Sequence, residues 1–386
     1  MLSTVGWDVA PAVAGWPGLP RLPGPRRADV CVVGLGASGL AAVDAAVDRG
    51  LSVVGLDAGR VAGGGAGRNG GFLLGGPALF LHDALARWGD CAAQLYRETL
   101  AELDRLAVTL PPGVLRRVGS IRLAGLPGEP RDQAEADDRE LETKDCAAHA
   151  SALQANGIAV EGYDGPLGTG IVLPDDAAVN PAARAMAVAG RLEHHAALFE
   201  HTRVLKVCAG EVTTEYGAVR ADAIVVAVDG KLGRVVPKVV RRLRTARLQM
   251  LATAPVAPER LRCPVYGRWG YDYAQQAPDG RLYVGGGRDR FESAEWTGRT
   301  EPTRHVQRYI GAVAQRFAGA PIEVTHRWAA SVGYTPDARA LCTLAADGVV
   351  AIGGYNGTGN LVGPVAARAA LAYVLDGVRP PLYFAS

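Results

Sequence analysis

Three glycines and one aspartate carry the clearest chemistry in the chain. Gly34, Gly36 and Gly39 stand in VVGLGASGL, and Asp57 closes LSVVGLD eighteen residues after Gly39. In a turn between strand and helix, the first glycine permits a tight bend. The second lets a phosphate approach bare backbone, and the third lets helix and strand pack closely. The helix start, at Ala37 and Ser38, offers free N–H groups and positive partial charge to a pyrophosphate. Asp57, followed by Ala58, can accept hydrogen bonds from ribose hydroxyls. The glycine spacing alone is weak: with 50 glycines in 386 residues, about one match arises by chance. It recurs at Gly65, Gly67 and Gly70. Context separates the two, because only the first follows a buried-strand pattern, opens a helix and is answered by an acid. A second bare stretch, VAGGGAGRNGGFLLGG from Val61, comes directly after the Asp57 strand. Gly67, Arg68, Asn69, Gly70 and Gly71 there could lie against a flat cofactor, with Arg68 supplying charge.

These residues need a β-α-β frame to hold them. ADVCVVG is a continuous apolar run suited to a fully buried parallel strand. A small-residue helix is predicted from about 38 to 49, stopped by Gly50, and the next strand ends at Asp57. The chain closes on VVAIGGYNGTGNLVGPVAARAALAYVL, which reads as strand, glycine turn and helix. Between these ends, 82–107 reads as one helix and 128–155 as an exposed helix. Another helix starts at Asn180, and TRVLKV, GEVTTEY and ADAIVVAV read as strands. YGRWGYDYAQQAPDGRLYVGGG reads as a hairpin turning at Pro278–Gly280. Residues 1–27 read as an arm pinned by Trp7 and Trp16.

Composition excludes several classes. Net charge is +2, too balanced to argue for nucleic acid or a membrane surface. Arg241, Arg242, Arg244 and Arg247 form a local basic run, read as a solvated segment. The six cysteines form no C-x-x-C, and the seven histidines lack metal-ligand spacing, so neither a metal site nor a disulfide frame is expected. No apolar run is long enough to span a bilayer, and no signal-peptide core is evident. A cytoplasmic location is the resulting expectation; oligomeric state is not legible.

The run from Ala28 to Phe72 resembles the start of the D-amino-acid oxidase/glycine oxidase superfamily of FAD enzymes. Its AGRNGG is similar to the branch containing gamma-glutamylputrescine oxidase. Three further stretches carry the resemblance. ADAIVVAVDGKLGRVVP resembles the second flavin motif, although Ala227-Val228-Asp229-Gly230 stands where A-T-N-G is more usual. WAASVGYTPD from Trp328 and GGYNGTGNLVGP from Gly353 resemble the final flavin section. The resemblance implies an α/β flavin domain, Rossmann-like and of glutathione-reductase type, from 28–80, 175–236 and 326–386. It implies an α+β substrate domain on an antiparallel sheet from 81–174 and 237–325. It adds Val204, Gly357, Thr358, Gly359 and Asn360 to the cofactor set, the last four at a helix start near the flavin ring.

The implied activity is oxidation of a primary or secondary amine to an imine by hydride transfer to flavin N5, with molecular oxygen reduced to hydrogen peroxide. A dehydrogenase with another electron acceptor and a flavin-binding protein without turnover are the alternatives. FAD is expected to be non-covalent. Relatives attach it through a cysteine before T-P-D or a histidine in the first glycine-rich loop, and this chain has neither. For the substrate end, Tyr355 adjoins the flavin loop. Trp269, Tyr271 and Tyr273 would share one face of a strand, and Arg288 is a candidate cation. The glycine oxidase branch carries a carboxylate-gripping arginine where this chain reads Ser331-Val332-Gly333-Tyr334. Amines without an α-carboxylate are therefore expected as substrates, unless Arg268 or Arg288 supplies the grip.

Overall fold

Val30, Val32, Cys31 and Val33 alternate between two hydrophobic clusters, one on each side of the strand Arg26–Val33. A strand buried on both faces must lie between two layers, and a computed structural model describing residues 4–256 and 260–386 shows this arrangement. Val53–Leu56 and Gly217–Val226 flank Arg26–Val33 in parallel; Ala197–Phe199 and Val349–Gly353 extend the parallel sheet on either side. The antiparallel strands Leu341–Ala346, Glu211–Thr214 and Val204–Cys208 complete it. Helices Ala37–Val47, Pro181–Leu192 and Gly359–Asp376 cover one face. Their contacts are built from Ala and Gly, which lets the backbones approach: a Cβ on Gly363 would lie 3.2 Å from the Ser38 Cβ. This is the Rossmann-like layer expected from sequence.

The second sheet has eight strands, antiparallel except where Val265–Gly267 runs parallel to Ser120–Leu123. Its register sorts side chains into rows. Ile121, Val265, Ala274, Val284 and Leu251 stand opposite one another and pack against the helix Arg304–Ala318. The next row, Arg122, Tyr266, Tyr273, Gly285, Met250 and Trp328, faces the other way. A third, small sheet joins Phe72–Leu73, Ala177–Val179 and Leu115–Arg116.

Several expected elements are corrected. The helix over 82–107 is two, Leu81–Trp88 and Cys91–Thr109, separated at Gly89, whose φ of 68° ends the first. The helix Gln133–Ala155 is not merely exposed, since Glu142, Cys146, His149 and Leu153 are buried along one side. Arg247 leaves the solvated run: it is buried and forms a two-pronged pair with Glu295 at 2.7 and 3.0 Å. The strand Val324–Tyr334, which contains the WAASVGY stretch, pairs over most of its length with Arg244–Pro255 of the second sheet. Trp7 does pin the arm, stacking on Tyr283 with centroids 3.4 Å apart and donating from Nε1 to the Asn69 carbonyl. Trp16 Nε1 donates to Glu200. No helix among the described residues is long and apolar enough to cross a membrane.

Candidate active site

A cavity of about 1060 Å³ runs between the two large sheets. At one end lie Gly34, Gly36, Ala37, Ser38, Asp57, Ala58 and Val204; at the other lie Arg122, Tyr266, Tyr271, Tyr273 and Arg288. The first glycine turn is built as its spacing requires. Gly34 has a φ of 98°, and a Cβ at Gly39 would fall 1.7 Å from the Gly34 carbonyl oxygen. Gly39 therefore lies behind the lining and fixes helix to strand. Gly36 caps the helix without a side-chain acceptor, leaving the first-turn N–H groups of Ala37 and Ser38 beside the cavity.

Asp57 is tied to its own surroundings. Oδ2 accepts from Leu35 N at 2.8 Å and Oδ1 from Gly59 N at 2.8 Å. Burial pushes its carboxyl above the ordinary carboxylate value, and those two bonds oppose the shift. Each oxygen retains a further lone pair that a sugar hydroxyl could use.

The bare stretch after Asp57 is a scaffolded loop. Asn69 Nδ2 donates to the Gly65 and Ala66 carbonyls, and Asn69 Oδ1 accepts from Gly71 N at 2.8 Å. Asn69 also exchanges hydrogen bonds with Asn360, which reaches the Phe72 carbonyl at 2.8 Å. The loop is thereby fastened to the start of the last helix. Arg68 Nη1 donates to the Ala62 carbonyl, and Trp328 Nε1 donates to the Arg68 carbonyl. Gln275, from the second sheet, donates to the Gly70 carbonyl. Gly67 and Gly71 lie behind the lining; Arg68, Asn69 and Gly70 form it. Gly357, Thr358, Gly359 and Asn360 line the cavity where that last helix begins, again without a side-chain cap.

Asp229 is a hub not expected from sequence. Its carboxylate accepts from Gly333 N at 3.0 Å, Gly354 N at 2.9 Å and Tyr355 N at 3.4 Å. It joins the end of one strand to the strand 324–334 and to the last glycine turn. Its signal is the departure from A-T-N-G: all three partners are donors, so an acceptor-only carboxylate serves there.

The substrate-end residues are partly redistributed. Arg268 and Trp269 have φ of 52° and 56° in a tight turn, and the strand begins at Asp272. Trp269, Tyr271 and Tyr273 therefore do not alternate along one strand. Trp269 Nε1 turns to Asp145 at 2.7 Å, and Tyr273 instead shares its face with Tyr266. Tyr355 is 5% exposed, packed against Gly359 and the Ser38 side of the first glycine turn, which places it at the cofactor end rather than in a substrate wall. Arg268 is consumed by Asp272, Asp289 and Tyr309 and grips nothing in the cavity. Arg288 does reach the cavity. Its guanidinium lies over the rings of Tyr334, Tyr271 and Trp296 at 4.6, 5.4 and 5.6 Å. The corner at 331–334 thus holds a cation after all, delivered by the chain after the hairpin.

A model of the FAD-dependent oxidoreductase (DAO) family matches residues 29–373. The chain belongs to that family. It is 30% identical over 383 residues to a probable oxidoreductase, OrdL, of Rhizobium meliloti (strain 1021), covering 92% of this chain and 86% of that protein. It is 26% identical over 285 residues to the gamma-glutamylputrescine oxidoreductase of Escherichia coli (strain K12), covering 67% of this chain and 64% of that protein. Its fold is similar to that of glycine oxidase from Geobacillus kaustophilus, with a TM-score of 0.71, 17% identity, and 90% and 95% of the two chains covered. The cavity fits the family's cofactor. Two uncapped helix starts open onto it, one beside the first glycine turn and one at Gly359, and both suit an anionic group. The lining, among the described residues, includes neither cysteine nor histidine.

Proposed function

We propose that this FAD-dependent oxidoreductase oxidises the C–N bond of an amine or amino acid, with oxygen as electron acceptor and hydrogen peroxide as co-product. The observation that carries this reading is the cavity's second end. It continues past the glycine cradle into an aromatic corner formed by Tyr271, Tyr273 and Tyr334, where Arg288 supplies positive charge. FAD supplies the two-electron acceptor, and the amine leaves as an imine that water hydrolyses.

In this reading Asp57 holds the adenosine ribose, with Val204 beside it. Ala37 and Ser38 would hold the pyrophosphate, and the uncapped helix start at Gly359 and Asn360 would favour an anionic part of the cofactor. Gly70 carries Tyr273: a Cβ there would lie 3.1 Å from the Tyr273 ring, so loop and substrate wall are in contact. The apolar walls exclude water and favour the neutral, reactive form of the amine, whose ordinary pKa is about 10. Arg288 places positive charge at the corner, favouring a carboxylate next to the reacting carbon. The weak likeness to the gamma-glutamylputrescine oxidoreductase keeps an extended amine within the substrate class.

The test compares kcat/KM for an amine and its α-carboxylated counterpart, in the wild type and in Arg288→Met. A wild-type preference of tenfold or more for the amino acid that collapses in the variant, about 1.4 kcal/mol of transition-state binding, supports the role of Arg288. An equal preference in both proteins contradicts it.

A further inference from the structure

Four described arginines are buried: Arg122 at 9% exposed, Arg184 at 4%, and Arg247 and Arg268 at 6% each. Arg247 and Arg268 each engage a carboxylate with charge-assisted hydrogen bonds, and Arg184 donates to Asn360 Oδ1 at 3.4 Å. The Arg122 side chain forms no ion pair and no hydrogen bond among the described residues, and its Nε is shielded from solvent without a partner. Asp176 and Glu142 lie near enough to feel its charge, yet neither bonds it; a buried guanidinium whose N–H groups lack an acceptor is costly, which leaves its edge open to a ligand.

Its placement follows from strand register. In Ser120–Leu123, Ile121 and Leu123 enter the core under the helix Arg304–Ala318, and Ser120 and Arg122 point to the opposite face. Arg122 stands opposite Tyr266, and Tyr266 opposite Tyr273, in the row that faces the cavity. The guanidinium lies over Phe80 at 4.9 Å and Tyr266 at 5.5 Å. Rings on its faces leave its N–H edge as the binding surface, the geometry suited to a carboxylate. The nearby acids are engaged elsewhere. Asp176 accepts from Ser120 Oγ at 2.6 Å and Gly75 N at 2.8 Å. Glu142 accepts from Gly125 N at 2.6 Å and from Trp269 N.

We propose that Arg122 is a second anion-binding residue of the substrate site, taking a carboxylate that the substrate carries on the side remote from the oxidised carbon. The assignment rests on the reading of this end of the cavity as the substrate end. Tyr273 is two strands away from Arg122, about 10 Å at ~4.8 Å per strand. The ligand is therefore an amine or amino acid with a chain of several atoms between its two functional ends, and Arg288 holds the near corner.

The test uses FAD-loaded enzyme and substrate pairs that differ only at the distal group: 5-aminopentanoate with 5-aminopentanamide, and glutamate with glutamine. The wild type is expected to prefer the carboxylate member by tenfold or more in kcat/KM for at least one pair. R122M should bring that ratio near one, R122K should leave an intermediate ratio, and R288M should keep it. Independently of turnover, glutarate should perturb the flavin absorbance of the wild type at least tenfold more tightly than glutaramide. That difference should vanish in R122M. Absence of a carboxylate preference in the wild type overturns the proposal without any variant. So does a preference kept in R122M, or one lost in R288M alone. If no amine reduces the flavin, the proposed reaction fails, and the glutarate titration still decides the role of Arg122.

Discussion

Replacing Asp229 with alanine removes one acceptor from three backbone donors at once. The bonds from Gly333 N and Gly354 N are close, and the one from Tyr355 N is long. Two close bonds to an ionised acceptor are worth roughly 1.5–3 kcal/mol each. Asp229 also has a φ of 40°, which costs alanine about 1 kcal/mol more. Burial already pushes the Asp229 carboxyl above its ordinary value, so the charged form is held at some expense. The loss in Asp229→Ala therefore falls near the low end, about 4 kcal/mol. Asp229→Asn keeps one acceptor for Gly354 and Tyr355, tolerates the backbone angle and removes the buried charge, but turns an NH2 toward Gly333 N. Its cost is about 1 kcal/mol. The sign with pH also differs. A carboxyl whose folded value is raised loses stability as pH climbs from the ordinary value to the raised one, and the asparagine variant lacks that contribution. Denaturant unfolding of the flavin-free protein, with FAD retention on gel filtration, measures both. An alanine variant within about 1 kcal/mol of the wild type, still holding FAD, would refute the hub.

Asp57→Ala should lose more than a ribose contact, because Leu35 N and Gly59 N are left unpaired; FAD binding should weaken tenfold or more, about 1.4 kcal/mol, with a lowered melting temperature. Asp57→Asn separates the two effects, and unchanged affinity in both variants would exclude the ribose role. Acid precipitation should release the yellow colour into the supernatant, since the described lining has no cysteine or histidine to bond the flavin; colour kept in the pellet contradicts this. Glu142 is pushed up to about 7 by burial from an ordinary 4.5. In that window the folded protein keeps a proton the unfolded chain has lost, so stability falls as pH rises from 4.5 to 7, by up to about 3 kcal/mol. Denaturation midpoints of Glu142→Gln should show a flatter pH dependence, and parallel profiles for variant and wild type would contradict the assignment.

The cofactor half was legible because local rules govern it. An apolar run, a glycine turn and an acid at the next strand end form one β-α-β unit, and each part is needed wherever the chain goes next. The substrate half depends on strand register, which no single segment encodes. Arg122 sits in SIRL, whose alternation hides one polar face, and its strand partner Tyr266 is 144 residues away in sequence. Tyr266 and Tyr273 meet because two strands pair, whereas Trp269 and Tyr271 fall in a turn set by left-handed angles at Arg268 and Trp269. Period two does not run through that turn, although Trp269, Tyr271 and Tyr273 all line the cavity. Asp229 was visible only as a departure from a more usual residue; its meaning lies in three donors from two distant segments.

Anaerobic mixing of the FAD-loaded enzyme with a panel of amines and α-amino acids tests the account most directly. At least one compound should bleach the flavin absorbance in a single turnover, yielding the carbonyl product of its imine, and colour should return with hydrogen peroxide when oxygen is admitted. A flavin that no member of the panel reduces, while dithionite still reduces it, would contradict C–N oxidation at this site.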